Sequence, residues 1–218
     1  AMFLAKTSGQ SKVVNFNTKC SAVTSFTYGG GSGYTNGAYG ADAAYLGMTD
    51  DGKVRFMLSG VTGTVNASEV QVVEYAAVSD HVSYYAVSGG KLIHYISQDL
   101  NKLPVSFINN GTAPSYLNEG VKYYSYDGHY FYTDYAVMLS DYQNNTNGQN
   151  AVNAGNAFYN FFQFKNMREA TKYSGEELNV MLQSAMSAAG VDTASSKLSG
   201  TGLSFVKYQN VYSVNEIG

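Results

Sequence analysis

Tryptophan is absent from this 218-residue chain, and cysteine and proline nearly so, at one and two residues. With Cys20 alone, no intrachain disulfide can form. A catalytic thiol would need a histidine and an orienting group, and only His81, His94 and His129 could serve it. The same shortage of ligands argues against a structural zinc centre, which takes about four clustered nitrogen or sulfur donors. Neither a metal nor another cofactor is expected. Charge is scarce as well: 13% of residues are charged, 13 basic against 16 acidic, with a net charge of -3 and a pI near 5.5. Nothing in that balance marks a nucleic-acid binder. No apolar run approaches the roughly 20 residues that cross a bilayer, so no membrane insertion is expected.

What the chain has instead is tyrosine, 20 of them beside 11 Phe. The densest stretch is Tyr123-Tyr-Ser-Tyr-Asp-Gly-His-Tyr-Phe-Tyr132, in which Asp127-Gly128 is a turn signal for a hairpin. A tyrosine offers an apolar face and a polar tip, which suits stacking on a flat, wet partner. Tyr123, Tyr124, Tyr126, Tyr130 and Tyr132 are therefore candidate substrate-binding residues. The same residues also read as hairpin core and cross-strand pairs, and alternation puts only about half of them on any one face. Tyr84-Tyr-Ala-Val-Ser-Gly-Gly-Lys-Leu-Ile-His-Tyr95 is a fainter copy, with its own turn at Gly89-Gly90. Pro104 and Pro114 lie between the two copies and fit loops.

Upstream, Val54, Phe56 and Leu58 alternate as a half-buried strand should, after the turn Asp51-Gly52. Gly60 and Gly63 punctuate the next hairpin, and Val70 to Val73 offers another strand. Short strands at this spacing suggest a small barrel. After Thr133 the period becomes helical, with Tyr135, Met138, Leu139 and Tyr142 on one face. Ser174-Gly-Glu-Glu177 is a capping box, with Tyr173 and Leu178 placed as its hydrophobic staple. Leu178, Met181, Leu182, Ala185 and Met186 form the apolar face of that helix, and Gly190 ends it. A last helix is expected over 201–212, with Leu203, Val206 and Asn210 on one side.

Acid–base chemistry on a glycosidic bond would generally need a protonated carboxyl in an apolar groove, often with a second carboxylate roughly 5–10 Å away. Asp127 sits in a turn, Glu176 and Glu177 at a helix start, and Glu69, Glu74 and Glu119 near strand ends. Glu216 stands two residues from the end of the sequence. None has the setting of a catalytic acid, and no catalytic residue is assigned. No phosphate-binding Gly-rich loop and no Gly-x-Ser-x-Gly elbow occurs.

Lys122 to Tyr132, the helix ending in Asp141-Tyr142, the Asn-rich loop, and Asn156-Ala-Phe-Tyr-Asn-Phe-Phe-Gln-Phe164 together resemble the entry to an endo-β-N-acetylglucosaminidase domain. This is the glucosaminidase type of Gram-positive autolysin. Arg168 to Asn179, Ser199 to Phe205 and Val211 to Ile217 continue the likeness, and 52–73 looks like the closing strands of a bacterial SH3-like domain. The resemblance implies an α+β chain in three parts. They are an SH3-like β-barrel over 1–77, a three-stranded, Tyr-rich linker module over 78–132, and a helical start to a lysozyme-like catalytic domain over 133–218. It also implies a secreted, cell-wall-associated protein whose partner is the glycan strand of peptidoglycan. In that family the catalytic glutamate follows the segment matching Tyr212 to Asn215, a position past Gly218, so this stretch by itself is expected to be inactive. Two alternatives stay open. One is a wall-binding module without an enzyme, though not of the choline-binding kind, which relies on tryptophan. The other is a small glycosidase using carboxylates within the chain. The oligomeric state is not indicated.

Overall fold

The alternation at Val54, Phe56 and Leu58 becomes strand β5 (Lys53–Leu58) of a computed structural model that describes residues 11–16, 23–35, 40–159 and 173–212. Around it are β1 (Lys12–Asn15), β2 (Thr24–Tyr28), β3 (Gly31–Thr35), β4 (Asp42–Met48), β6 (Val61–Asn66) and β7 (Gln71–Glu74). These form one antiparallel sheet in the order β3-β2-β6-β5-β4-β1-β7. Among the described residues no pairing joins β3 to β7, so the closed barrel expected from strand spacing is replaced by an open sheet. A bulge between Tyr45 and Gly47 shifts the β4–β5 register. The strand expected over 70–73 lies one residue later, because Val70 turns into the core.

A single helical turn, α1 (Tyr75–Val78), leads to a second antiparallel sheet of β8 (Tyr84–Ser88), β9 (Lys91–Ile96) and β10 (Val105–Thr112), ordered β10-β9-β8. Its third strand lies between the two prolines, both of which fall outside the strands as the sequence suggested. Gly89 and Gly90, at φ of 57° and 72°, make the β8–β9 turn that an L side chain would strain. The tyrosine run does not form a regular hairpin. It is held by isolated bridges, Tyr85 to Tyr123 and Tyr124 to Tyr132. The reason is Asp127, whose Oδ1 accepts from Ser125 Oγ and from the amides of His129 and Tyr130 at 2.9–3.0 Å. That carboxylate makes a wider side-chain-closed turn in place of a two-residue one.

Packing groups the chain into two units, Ala1–Phe158 and Tyr159–Gly218. In the first, core clusters pack on both faces of the large sheet. Val14, Phe16, Ala43, Val54, Phe56 and Val65 form a cluster on one side, where Phe56 meets Phe16 and Phe26 edge-on at 5.1 and 5.2 Å. On the other side Val13, Ala44, Leu46 and Met57 pack with Tyr124, Tyr126, Tyr132 and with α2 (Tyr135–Gln143). This cluster draws residues from both sides of positions 77 and 132. A third cluster joins Tyr85, Val87 and Leu92 to Tyr123 and Phe131.

The second unit contains α3 (Gly175–Ala188) and α4 (Gly202–Tyr212). The capping box forms: the Ser174 amide donates to Glu177 Oε2 at 2.8 Å, and the Glu177 amide donates to Ser174 Oγ at 3.2 Å. Leu178 and Met186 are buried, whereas Met181 is exposed. In α4 the buried positions are Gly202 and Gln209, so the face expected from Leu203 and Asn210 is turned about one residue. The cause is a close helix crossing. A Cβ added to Gly202 would fall 2.0 Å from the Gly175 carbonyl oxygen, and the Gly202 amide donates to Asn179 Oδ1 at 2.8 Å. No helix among the described residues is long and apolar enough to cross a membrane. Cys20, Glu216 and the aromatic run from Phe161 to Phe164 lie outside the described residues.

Candidate functional site

Helix α2 begins at Asp134, whose Oδ1 accepts from the amides of Ala136 and Val137 at 2.7 and 3.1 Å. Its inward face carries Tyr135, Met138, Leu139 and Tyr142, as periodicity predicted, and also the acid Asp141, only 3% exposed. A carboxylate in the last turn opposes the helix dipole, so its hydrogen bonds must account for it. The Tyr132 hydroxyl donates to Asp141 Oδ2 at 3.0 Å, and the Asn150 amide donates to the same oxygen at 2.8 Å. Asn150 Nδ2 donates to Oδ1 at 2.7 Å. The Tyr132 hydroxyl also accepts the Gly148 amide at 2.6 Å. One tyrosine and one aspartate thus fold the Asn-rich loop back onto the tyrosine run.

A second buried amide finishes the job. Asn153 Oδ1 accepts the Phe131 amide at 2.9 Å, while its Nδ2 donates to the carbonyls of His129 and Asn156 at 2.8 and 2.9 Å. His129 Nδ1 lies 2.8 Å from the Phe158 carbonyl, which ties the loop's far end to the same segment.

Held this way, the loop borders an open, shallow groove of about 560 Å³. Tyr130, the loop residues Asn145, Thr146, Asn147, Gly148 and Gln149, and then Ala154 and Gly155 line it. Gly148, at φ 85°, lies flat against the Tyr130 ring, and a Cβ there would fall 2.5 Å from it. Asn145, Asn147 and Gln149 are exposed. Their carboxamides make no hydrogen bond within the described protein and so offer two donors and an acceptor each to whatever enters. Among the described residues no acidic or basic side chain lines the groove. It can bind a neutral polar ligand by hydrogen bonds and ring contact.

Of the five candidate tyrosines, Tyr130 alone borders this groove. Tyr123, Tyr124, Tyr126 and Tyr132 are at most 8% exposed, and their rings face other rings or the core. Alternation holds on both sides of the Asp127 turn: Tyr123 and Phe131 enter one cluster, and Tyr124, Tyr126, Tyr130 and Tyr132 lie at the other, so burial and not parity separates Tyr130 from the rest.

The surface carboxylates take structural parts: Glu177 in the cap, Glu119 accepting the Gly90 amide at 3.1 Å, and Glu74 near Lys12 at 3.6 Å. Sequence reasoning missed the two buried acids, Asp141 and Asp42. Burial raises the Asp42 carboxyl above its ordinary range, against the lowering influence of its hydrogen bonds. Those come from the Ser83 hydroxyl and amide at 2.5 and 2.7 Å and from the Tyr126 hydroxyl at 2.6 Å. The signal was there to find: an aspartate set in the small apolar run Ala41-Asp42-Ala43-Ala44. Of the histidines, His94 stacks on Tyr85 with ring centroids 4.0 Å apart, and burial lowers its pKa to about 4. It is a packed ring and not a proton carrier at neutral pH.

No family model matches the chain. It is similar to two curated proteins from strains of Streptococcus pneumoniae, each named "Putative endo-beta-N-acetylglucosaminidase". With each it shares 26% identity over 169 residues, 78% of this chain and 20% or 19% of the relative. The chain therefore spans about a fifth of the length of the curated relatives it matches.

Proposed function

We propose that this chain is the glycan-holding part of a cell-wall hydrolase related to the endo-β-N-acetylglucosaminidases, and that it grips the glycan strand of peptidoglycan in the Tyr130–Asn loop groove. The observation that carries this is the lining: a tyrosine ring beside exposed, unengaged carboxamides, with no charged side chain among the described residues that line it. N-acetylglucosamine presents an apolar ring face, hydroxyls and an amide and no charge, so it matches this lining. The similarity to the two pneumococcal proteins supports the same substrate class.

In this reading the chain contributes binding, and acid catalysis comes from a carboxylate outside the groove. The helical region from Tyr135 onward would belong to the glucosaminidase domain, β1–β7 to an SH3-like unit, and the protein would act outside the cell at the wall. A second reading, a wall-binding module without hydrolysis, is favoured by the same acid-free lining. Cosedimentation with purified wall sacculi tests both: the chain should pellet, and Tyr130→Ala should remain in solution. Absence of pelleting would remove both readings. Release of reducing ends by the chain itself would overturn the assignment of a purely binding role.

A further inference from the structure

Five neighbouring strands of the large sheet bring one residue each into a single row. In register, Ser32 of β3 lies opposite Thr27 of β2, Thr27 opposite Thr64 of β6, Thr64 opposite Arg55 of β5, and Arg55 opposite Gly47 of β4. Directly opposed residues of antiparallel strands share a face, with Cβ atoms about 5 Å apart. The row from Ser32 to Arg55 therefore extends about 14 Å across the strands. It lies on the face whose other end, at Met57, is covered by α2. Here the face is uncovered: Ser32 and Thr27 are exposed, and Thr64 and Arg55 are half-buried. At Gly47 an added Cβ would meet nothing within 4 Å, so the flank of Arg55 is open.

Two features make this more than a solvated strand surface. Arg55 has no carboxylate partner among the described residues, while its neighbour along the same face, Lys53, is already paired with Asp51 at 3.0 Å. Beside it, Thr27 and Thr64 share one hydrogen bond at 2.9 Å between their hydroxyls. That bond uses one of the two O–H groups, which leaves the second free to donate outward. A guanidinium with an adjacent hydroxyl donor is the combination that fixes an oxyanion, since the planar fork gives two parallel N–H bonds and the hydroxyl a third.

We propose that the Arg55–Thr64–Thr27–Ser32 row is a binding site for a singly charged oxyanion, a carboxylate or a phosphodiester, separate from the neutral groove at Tyr130. The site lies on the sheet and does not depend on the reading of that groove.

The test is a titration of the 15N-labelled chain, following the Arg55 Nε–Hε signal and the amides of Thr27 and Thr64. The probes are N-acetyl-alanyl-alanine, its uncharged C-terminal amide, and dimethyl phosphate. The carboxylate, the phosphodiester or both should shift these signals, and which of them does so identifies the source of the anion. The amide should not. Arg55→Gln should weaken binding about tenfold or more, Arg55→Lys less, and Thr64→Val about threefold. Tyr130→Ala should leave anion binding unchanged. The proposal is overturned if neither anion shifts the Arg55 signal, if the amide binds as well as the acid, or if Arg55→Gln binds unchanged. Should Arg55→Gln not fold, Thr27→Val with Thr64→Val carries the same test, and undiminished binding there overturns the proposal as well.

Discussion

The Tyr132 hydroxyl stands between Asp141 and Gly148, donating to the first at 3.0 Å and accepting from the second at 2.6 Å. This one oxygen joins the tyrosine run to the loop that walls the groove. Tyr132→Phe should therefore cost about 1–3 kcal/mol, because it leaves a buried carboxylate oxygen and a buried amide each short of a partner. Urea denaturation measures the loss, and backbone amide exchange should rise first over 144–150. A uniform loss without local exchange would contradict the role given to Tyr132.

His94 predicts an acid sensitivity with a definite sign. Its folded-state pKa is about 4 against 6.5 for a free imidazole, so the unfolded chain takes up a proton that the folded chain refuses. Stability is full above about pH 6.5 and falls as pH drops toward 4, by up to roughly 3 kcal/mol. His94→Phe, which keeps a ring on Tyr85, should show a smaller loss over the same interval. Parallel stability curves for the two proteins would refute the assignment.

Asp42 acts in the opposite direction. Its folded pKa lies above the ordinary 3.8, so the folded state favours the protonated acid. That contribution is present below about pH 3.8 and is lost as pH rises through the raised value. Asp42→Asn should gain on the parent chain as pH is raised from 4 to 7, in paired urea melts. A difference that does not change with pH would show that burial leaves the carboxyl untouched.

The α3–α4 crossing rests on Gly202. Gly202→Ala places a methyl group against the Gly175 carbonyl, where backbone has to move, and should cost about 1–3 kcal/mol or more. The helical signal of the second unit should melt earlier while the β signal of the first is retained. A melt indistinguishable from the parent's would mean that the two helices stand further apart.

Much of the secondary structure was legible because it depends on neighbours in sequence. The alternation in β5, the box at Ser174 and Glu177, and the periodic face of α2 are local signals, and each formed where it was read. The misreadings came from distant partners. Asp127 accepts three hydrogen bonds and widens a turn that Asp-Gly alone would have made tight. Gly202 turns α4 because Gly175 lies across from it, 27 positions away in the sequence. The open sheet order likewise depends on which strands meet at β2, β6 and β1, and spacing alone carries no such information.

The candidate site was half visible. Tyr130 was named among five tyrosines, but choosing it required knowing which rings the core had taken. The Asn-rich loop was read only as one segment of the family resemblance. Its function as a wall follows from Asp141 and Asn153, buried polar residues whose partners are 9 and 22 positions distant in the chain.

The most direct test of the groove is a titration of the labelled chain with a neutral N-acetylglucosamine tetramer, following the side-chain amide signals of Asn145, Asn147 and Gln149. The account predicts that these signals shift together and saturate, and that Tyr130→Ala and Asn147→Ala each weaken binding about three- to thirtyfold while the chain stays folded. Contradiction would be a tetramer that leaves all three amides unmoved, or one that binds the two variants as tightly as the parent.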